Sequence, residues 1–128
     1  MQPLPPIHVT LSVWAGQPDR LSFRVCPQAR GIRDLDAALA QARARTGDGS
    51  EEGQSFDAYM EEIAPAACKV VVGFDNLSGT ALVERVNAPA DPKEWAAWIK
   101  DILLPAHIGE LLGRAVAGAY DAATLGKS

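Results

Sequence analysis

Four residues of this 128-residue chain are of types that bind zinc: His8, Cys26, Cys68 and His107. Structural zinc sites draw their ligands in closely spaced pairs that one knuckle or helical turn can hold. These four are isolated from one another, so their spacing supports no metal site. The two cysteines also lack C-x-x-C spacing and are too few for a disulfide framework. They read as small apolar residues of the interior.

Calcium chemistry is tested by "DGSEEGQSFDAY" (48–59), which opens with Asp48, Ser50, Glu52 and Gly53 where a calcium loop needs oxygen ligands and its glycine. The last position of such a loop carries a bidentate Glu, and here it is Tyr59; Phe56 occupies another ligand position. The stretch reads as a solvated acidic loop. Ser78 in "NLSGT" lacks the G-x-S-x-G elbow of a nucleophile. Gly73 and Gly79 match neither G-x-x-x-x-G-K-[ST] nor G-x-G-x-x-G, and the closing "GKS" has no glycine loop upstream. The carboxylate pairs Glu51/Glu52 and Glu61/Glu62 read as solvated surface. The expectation is a protein that is not an enzyme, with no cofactor and no metal.

The elements that would position any site follow from periodicity. "IHVTLSVW" (7–14) alternates, with Ile7, Val9, Leu11 and Val13 on one face, and "LSFRVC" alternates again through Leu21, Phe23 and Val25. The turn residues of "AGQPDR" between them predict an antiparallel hairpin over 7–26. From about residue 33 the period becomes helical, through Leu35, Ala38, Leu39 and Ala42. A loop over 46–55 follows, and then a second helical stripe through Phe56, Met60, Ile63 and Ala67. Pro65 lies inside that stripe, where its missing N–H predicts a kink or an end.

"CKVVVGFDNLSGTALVERV" (68–86) reads as an apolar helix end or strand, stopped by Gly73, turned at Asp75 and Asn76, and continued as a short β-like link near residues 80–86. Asp91, Pro92 and Glu94 then carry the signature of a capped helix start. Trp95, Trp98, Ile99, Ile102 and Leu103 form its apolar stripe. Pro105 interrupts, and Ile108, Leu111, Leu112, Ala115, Val116 and Ala119 continue on one face. The expected fold is α+β, an N-terminal β-hairpin followed by a mostly helical part over 33–123, all within one domain of residues 1–128.

The totals exclude some partners. Net charge is −4, with Lys and Arg scattered, so nucleic acid is not expected. The start "MQPLPPIHV" lacks the regions of a signal peptide, and no apolar run has the length of a membrane span. No membrane association is expected, and the location expected is cytoplasmic. Trp95 and Trp98 share a helix face; at least one belongs in the core, and indoles also anchor interfaces. The C-terminal helices carry more apolar surface than one hairpin and two helices readily cover, which points to self-association or a partner.

The order of the pieces resembles the tail assembly chaperones of long-tailed bacteriophages. Val71, Val72, Gly73, Phe74 and Asp75 stand where those proteins carry a valine-rich segment and an aromatic turn. Ala115, Val116, Ala119 and Tyr120 stand in their last helix. The resemblance spans roughly residues 21–123. The chain departs from it in having Phe74 for the usual Trp, no Asp-Glu-Asp-Gly-type turn, and Pro105 within the final helical region.

The resemblance implies a non-catalytic protein of the host bacterial cytoplasm. Such a protein binds the tape measure protein and keeps it soluble while the tail tube assembles. On this reading Trp95, Trp98, Leu103, Ile108 and Leu112 are the expected partner-binding residues, and the chain is a possible homo-oligomer. Two other roles stay open: a small structural virion protein (head–tail connector or tail terminator), and an inhibitor of host defence using its acidic loop.

Overall fold

A computed structural model describes residues 5–46 and 54–125. Its first hairpin joins β1 (Ile7–Val9) to β2 (Asp19–Val25), antiparallel, with Ile7 opposite Val25 and Val9 opposite Phe23. The alternation of residues 7–14 predicts a longer first strand than is found. After Val9 the chain instead buries Leu11 and closes a single 3₁₀ turn over Ser12–Trp14. The reason is tertiary: the Glu110 carboxylate accepts from the Ser12 backbone N–H and from its hydroxyl, both at 2.8 Å. A distant side chain thus caps a turn that local pattern cannot reveal.

Between β2 and the next strand lies a helical hairpin, α1 (Ala29–Thr46) and α2 (Gln54–Val70). α2 continues past Pro65 to Val70, so the proline does not end the helix. The Pro65 ring is on the exposed side, and the missing N–H leaves the Glu61 carbonyl without its intrahelical donor. The stretch that the sequence marks as a helix end and a short link is a full hairpin, β3 (Val71–Ser78) and β4 (Ala81–Asn87); Asp75 and Asn76, expected to turn, lie inside β3 and pair with Ser22 and Leu21 of β2. Ser78 pairs with Ala81 around a two-residue loop, and Gly79 has φ +62°. A positive φ at the first loop residue alone fits a type II′ turn, whose twist suits paired strands.

The sheet order is β1-β2-β3-β4, all antiparallel, which with the helices makes the fold α+β. α3 (Pro92–Ile102) starts on Asp91, whose carboxylate accepts from the N–H groups of Lys93 and Glu94 at 3.0 and 3.1 Å. Pro105 opens α4 (Pro105–Leu125), and the chain turns 116° between the two helices. That turn brings α4 back over the core, where Ile108, Leu111 and Leu112 are fully buried beside Leu35, Ile63 and Phe23. Each such side chain contributes about 1.5–3 kcal/mol when removed from water. Among the described residues no single helix is long and apolar enough to cross a membrane.

Candidate functional site

Four of the five residues expected to bind a partner are interior. Trp95, Ile108 and Leu112 are fully buried and Leu103 is 6% exposed. Trp95 is also held by its indole N–H, which donates to the Val71 carbonyl at 3.0 Å. Trp98 alone of the five reaches the surface: it is half-buried and stacks on Phe74 at 5.7 Å between ring centres. The C-terminal apolar surplus therefore closes the core, because the sheet has four strands and covers more than a single hairpin would.

The residues with chemical potential are dispersed in the same way. His8 lies on β1, Cys26 just after β2, Cys68 in α2 and His107 in the first turn of α4. The Cys68 thiol is buried, which pushes its pKa up, and it donates to the Pro65 carbonyl at 3.5 Å. Among the described residues no three His, Cys, Asp or Glu side chains are grouped to hold a metal ion. Most of the acidic loop, 47–53, lies outside the described residues. Its neighbours Phe56 and Tyr59 face the core from α2.

Sequence reasoning missed a polar cluster on the sheet face opposite the core. Arg24 on β2 stands across from Gly73 on β3, which stands across from Asn87 on β4. The Arg24 guanidinium crosses the glycine and donates to the carbonyls of Phe74 and Val86, both at 2.9 Å. It also reaches the Asn87 side-chain oxygen at 2.8 Å and the Asp75 carboxylate. Its side chain is 5% exposed, so these partners are what allow a cation to be buried. A β-bulge between Arg24 and Val25 opens the ladder at this point.

Asp75 is the hub of that cluster. His8 lies 3.5 Å from one carboxylate oxygen and Arg85 3.4 Å from the other. Burial pushes the Asp75 carboxyl up. The hydrogen bond and charge of Arg24, with the charges of Arg85 and His8, outweigh that and hold it below its ordinary value. These groups satisfy one another, so the cluster fastens β2, β3 and β4 together rather than presenting a reactive group.

Two surface features among the described residues bear on binding. β4 is an edge strand exposed along most of its length, and it displays Leu82 and Val83 at 55% and 65% exposure. A register shift leaves Val83 without a partner opposite it on β3. A Gly-Thr loop between two β-like runs was the sequence signal for this hairpin. The second feature is a groove of about 410 Å³ between α2 and α3, floored by Met60, Ala64 and Ala96. Its α2 wall carries Glu61, with Asp57 at the end; its α3 wall carries Lys93 and Lys100.

Comparison of the chain with protein-family models, with curated proteins and with solved structures finds no match in any of the three.

Proposed function

We propose that this chain is a tail assembly chaperone of a long-tailed bacteriophage. It acts by binding in the host cytoplasm and keeps the tape measure protein soluble until the tail tube encloses it. The observation that carries the reading is the pair Leu82 and Val83, large apolar side chains more than half exposed on an edge strand. A protein that shelters an aggregation-prone client needs apolar surface that its own core does not use. Leu82 and Val83 supply it, while Trp95, Leu103, Ile108 and Leu112 are spent on the core.

The edge also suits an unselective client. An extended segment adds to β4 through main-chain hydrogen bonds, which are the same for every sequence, and Leu82 and Val83 supply apolar contact. Glu84, Arg85 and the bulge at Val83 restrain indiscriminate pairing of such edges. Trp98 extends this surface on the core side, since it stacks on Phe74 and Phe74 pairs with Val86 of β4.

The test is co-expression with the tape measure protein of the same genome. The chain should hold that protein in the soluble fraction and co-purify with it. Leu82→Lys combined with Val83→Lys should abolish co-purification while leaving the circular dichroism spectrum unchanged. Co-purification undiminished in that variant would refute the site, and absence of any complex with wild-type protein would refute the function.

A further inference from the structure

We infer that the groove between α2 and α3 is the interface of a homodimer, in which the two helices of one copy pack on the same two helices of a second. The two helices run in opposite directions: Asp57 near the start of α2 meets Lys100 near the end of α3 at 3.7 Å, and Pro65 lines the groove together with Pro92 and Lys93. The charges are sorted by wall. Asp57 and Glu61 belong to α2, and Lys93 and Lys100 to α3.

That sorting is self-complementary under one symmetry. A two-fold axis parallel to the helices places α2 of one copy over α3 of the other, and α3 over α2. Every acidic wall then faces a basic one, twice over, as an isologous contact requires. An axis across the helices would stack acid on acid and base on base, so charge selects the first arrangement.

The floor fits a close approach. Ala64, Ala96 and Ala97 are small, and their stripe lies between the charged positions, so the four helices can meet as a bundle with an apolar centre. Lys93 and Lys100 are seven residues apart on α3, with Ala96 and Ala97 between them on the same helix face. A helix from an unrelated client would need acidic and basic flanks in this one arrangement, whereas a second copy has them by construction.

Sedimentation velocity on the full chain across a dilution series tests the dimer. Wild-type protein should be dimeric, dissociating on dilution and at high salt, where exposed charge pairs are screened. Lys93→Glu with Lys100→Glu should make the chain monomeric, and so should Asp57→Lys with Glu61→Lys, since each then opposes like charges. An equimolar mixture of the two variants should recover the dimer as a one-to-one heterodimer, because each acidic wall again meets a basic one. All four positions are exposed, so the variants should keep the wild-type circular dichroism spectrum. A wild-type chain that is monomeric throughout, a dimer that survives both variants, or variants that stay monomeric when mixed would each overturn the proposal.

Discussion

Arg24 and Gly73 face each other across the β2–β3 ladder, and the space left by the missing glycine side chain is where the guanidinium lies. A Cβ at residue 73 would collide with the Arg24 guanidinium and with the Val86 carbonyl of β4. The backbone there also has φ +155°, which side chains of L-residues rarely adopt. The glycine that interrupts the valine run is therefore a seat for a buried cation.

Gly73→Ala should lower stability by about 1–3 kcal/mol, the range for forcing extra atoms into a packed site. Urea unfolding checks it, and the midpoint should fall without a change in slope. Gly79→Ala makes a useful contrast, because only the positive φ resists it there and no atom lies within 4 Å of the added Cβ.

Removing the carboxylate that faces Arg24 should cost more. Asp75→Ala leaves a buried cation with neutral acceptors only, and breaking a buried pair in this way costs about 3–5 kcal/mol. Arg24→Met removes the cation as well as its need for a partner, and Asp75 keeps Arg85 and His8, so that variant should unfold later than Asp75→Ala. Thermal melts of both variants, side by side, decide the order.

Acid should destabilise the fold through two carboxylates. For Glu110, the Ser12 backbone N–H lowers the pKa first; burial opposes it, and the Ser12 hydroxyl and Arg114 add to the lowering. Asp75 is also lowered, despite its burial. Both groups therefore bind protons more weakly in the folded state than in the unfolded one. Their stabilisation is complete above the unfolded values, about 4, and is lost as pH falls below them through the folded values. Urea midpoints should be flat near neutrality and drop on acidification below about pH 4. Asp75→Asn and Glu110→Gln should each shrink that drop.

The two tryptophans of α3 should separate cleanly. Trp95→Phe leaves the Val71 carbonyl without its indole donor, at a cost of about 1–3 kcal/mol, and Trp95→Asp should prevent folding. Trp98→Asp loses the stack on Phe74 but keeps the fold, so circular dichroism should remain that of the wild type.

The sequence carried the helices, the first hairpin and much of the core, because their apolar positions repeat at clear periods. Leu35, Leu39, Phe23 and Val25 are buried where those periods put them. It carried the start of α3 as well, since a cap is local chemistry. β4 was harder to read: a strand exposed on both faces has no reason to alternate, and the bulge at Val83 shifts its register. Arg24 was invisible for a related reason. An arginine on the polar side of a strand looks solvated, and only the neighbouring strands show that it is buried. Ile108 and Leu112 looked like spare surface because no local pattern reports a 116° turn that folds α4 onto the core.

Purification of the chain after co-expression with the tape measure protein bears most directly on the proposed chaperone function. Wild-type protein should elute in a soluble complex with that client, and the combined Leu82→Lys and Val83→Lys variant should elute alone, still folded. A client that stays insoluble in the presence of the wild-type chain, or a complex retained in full by the double variant, would contradict the account.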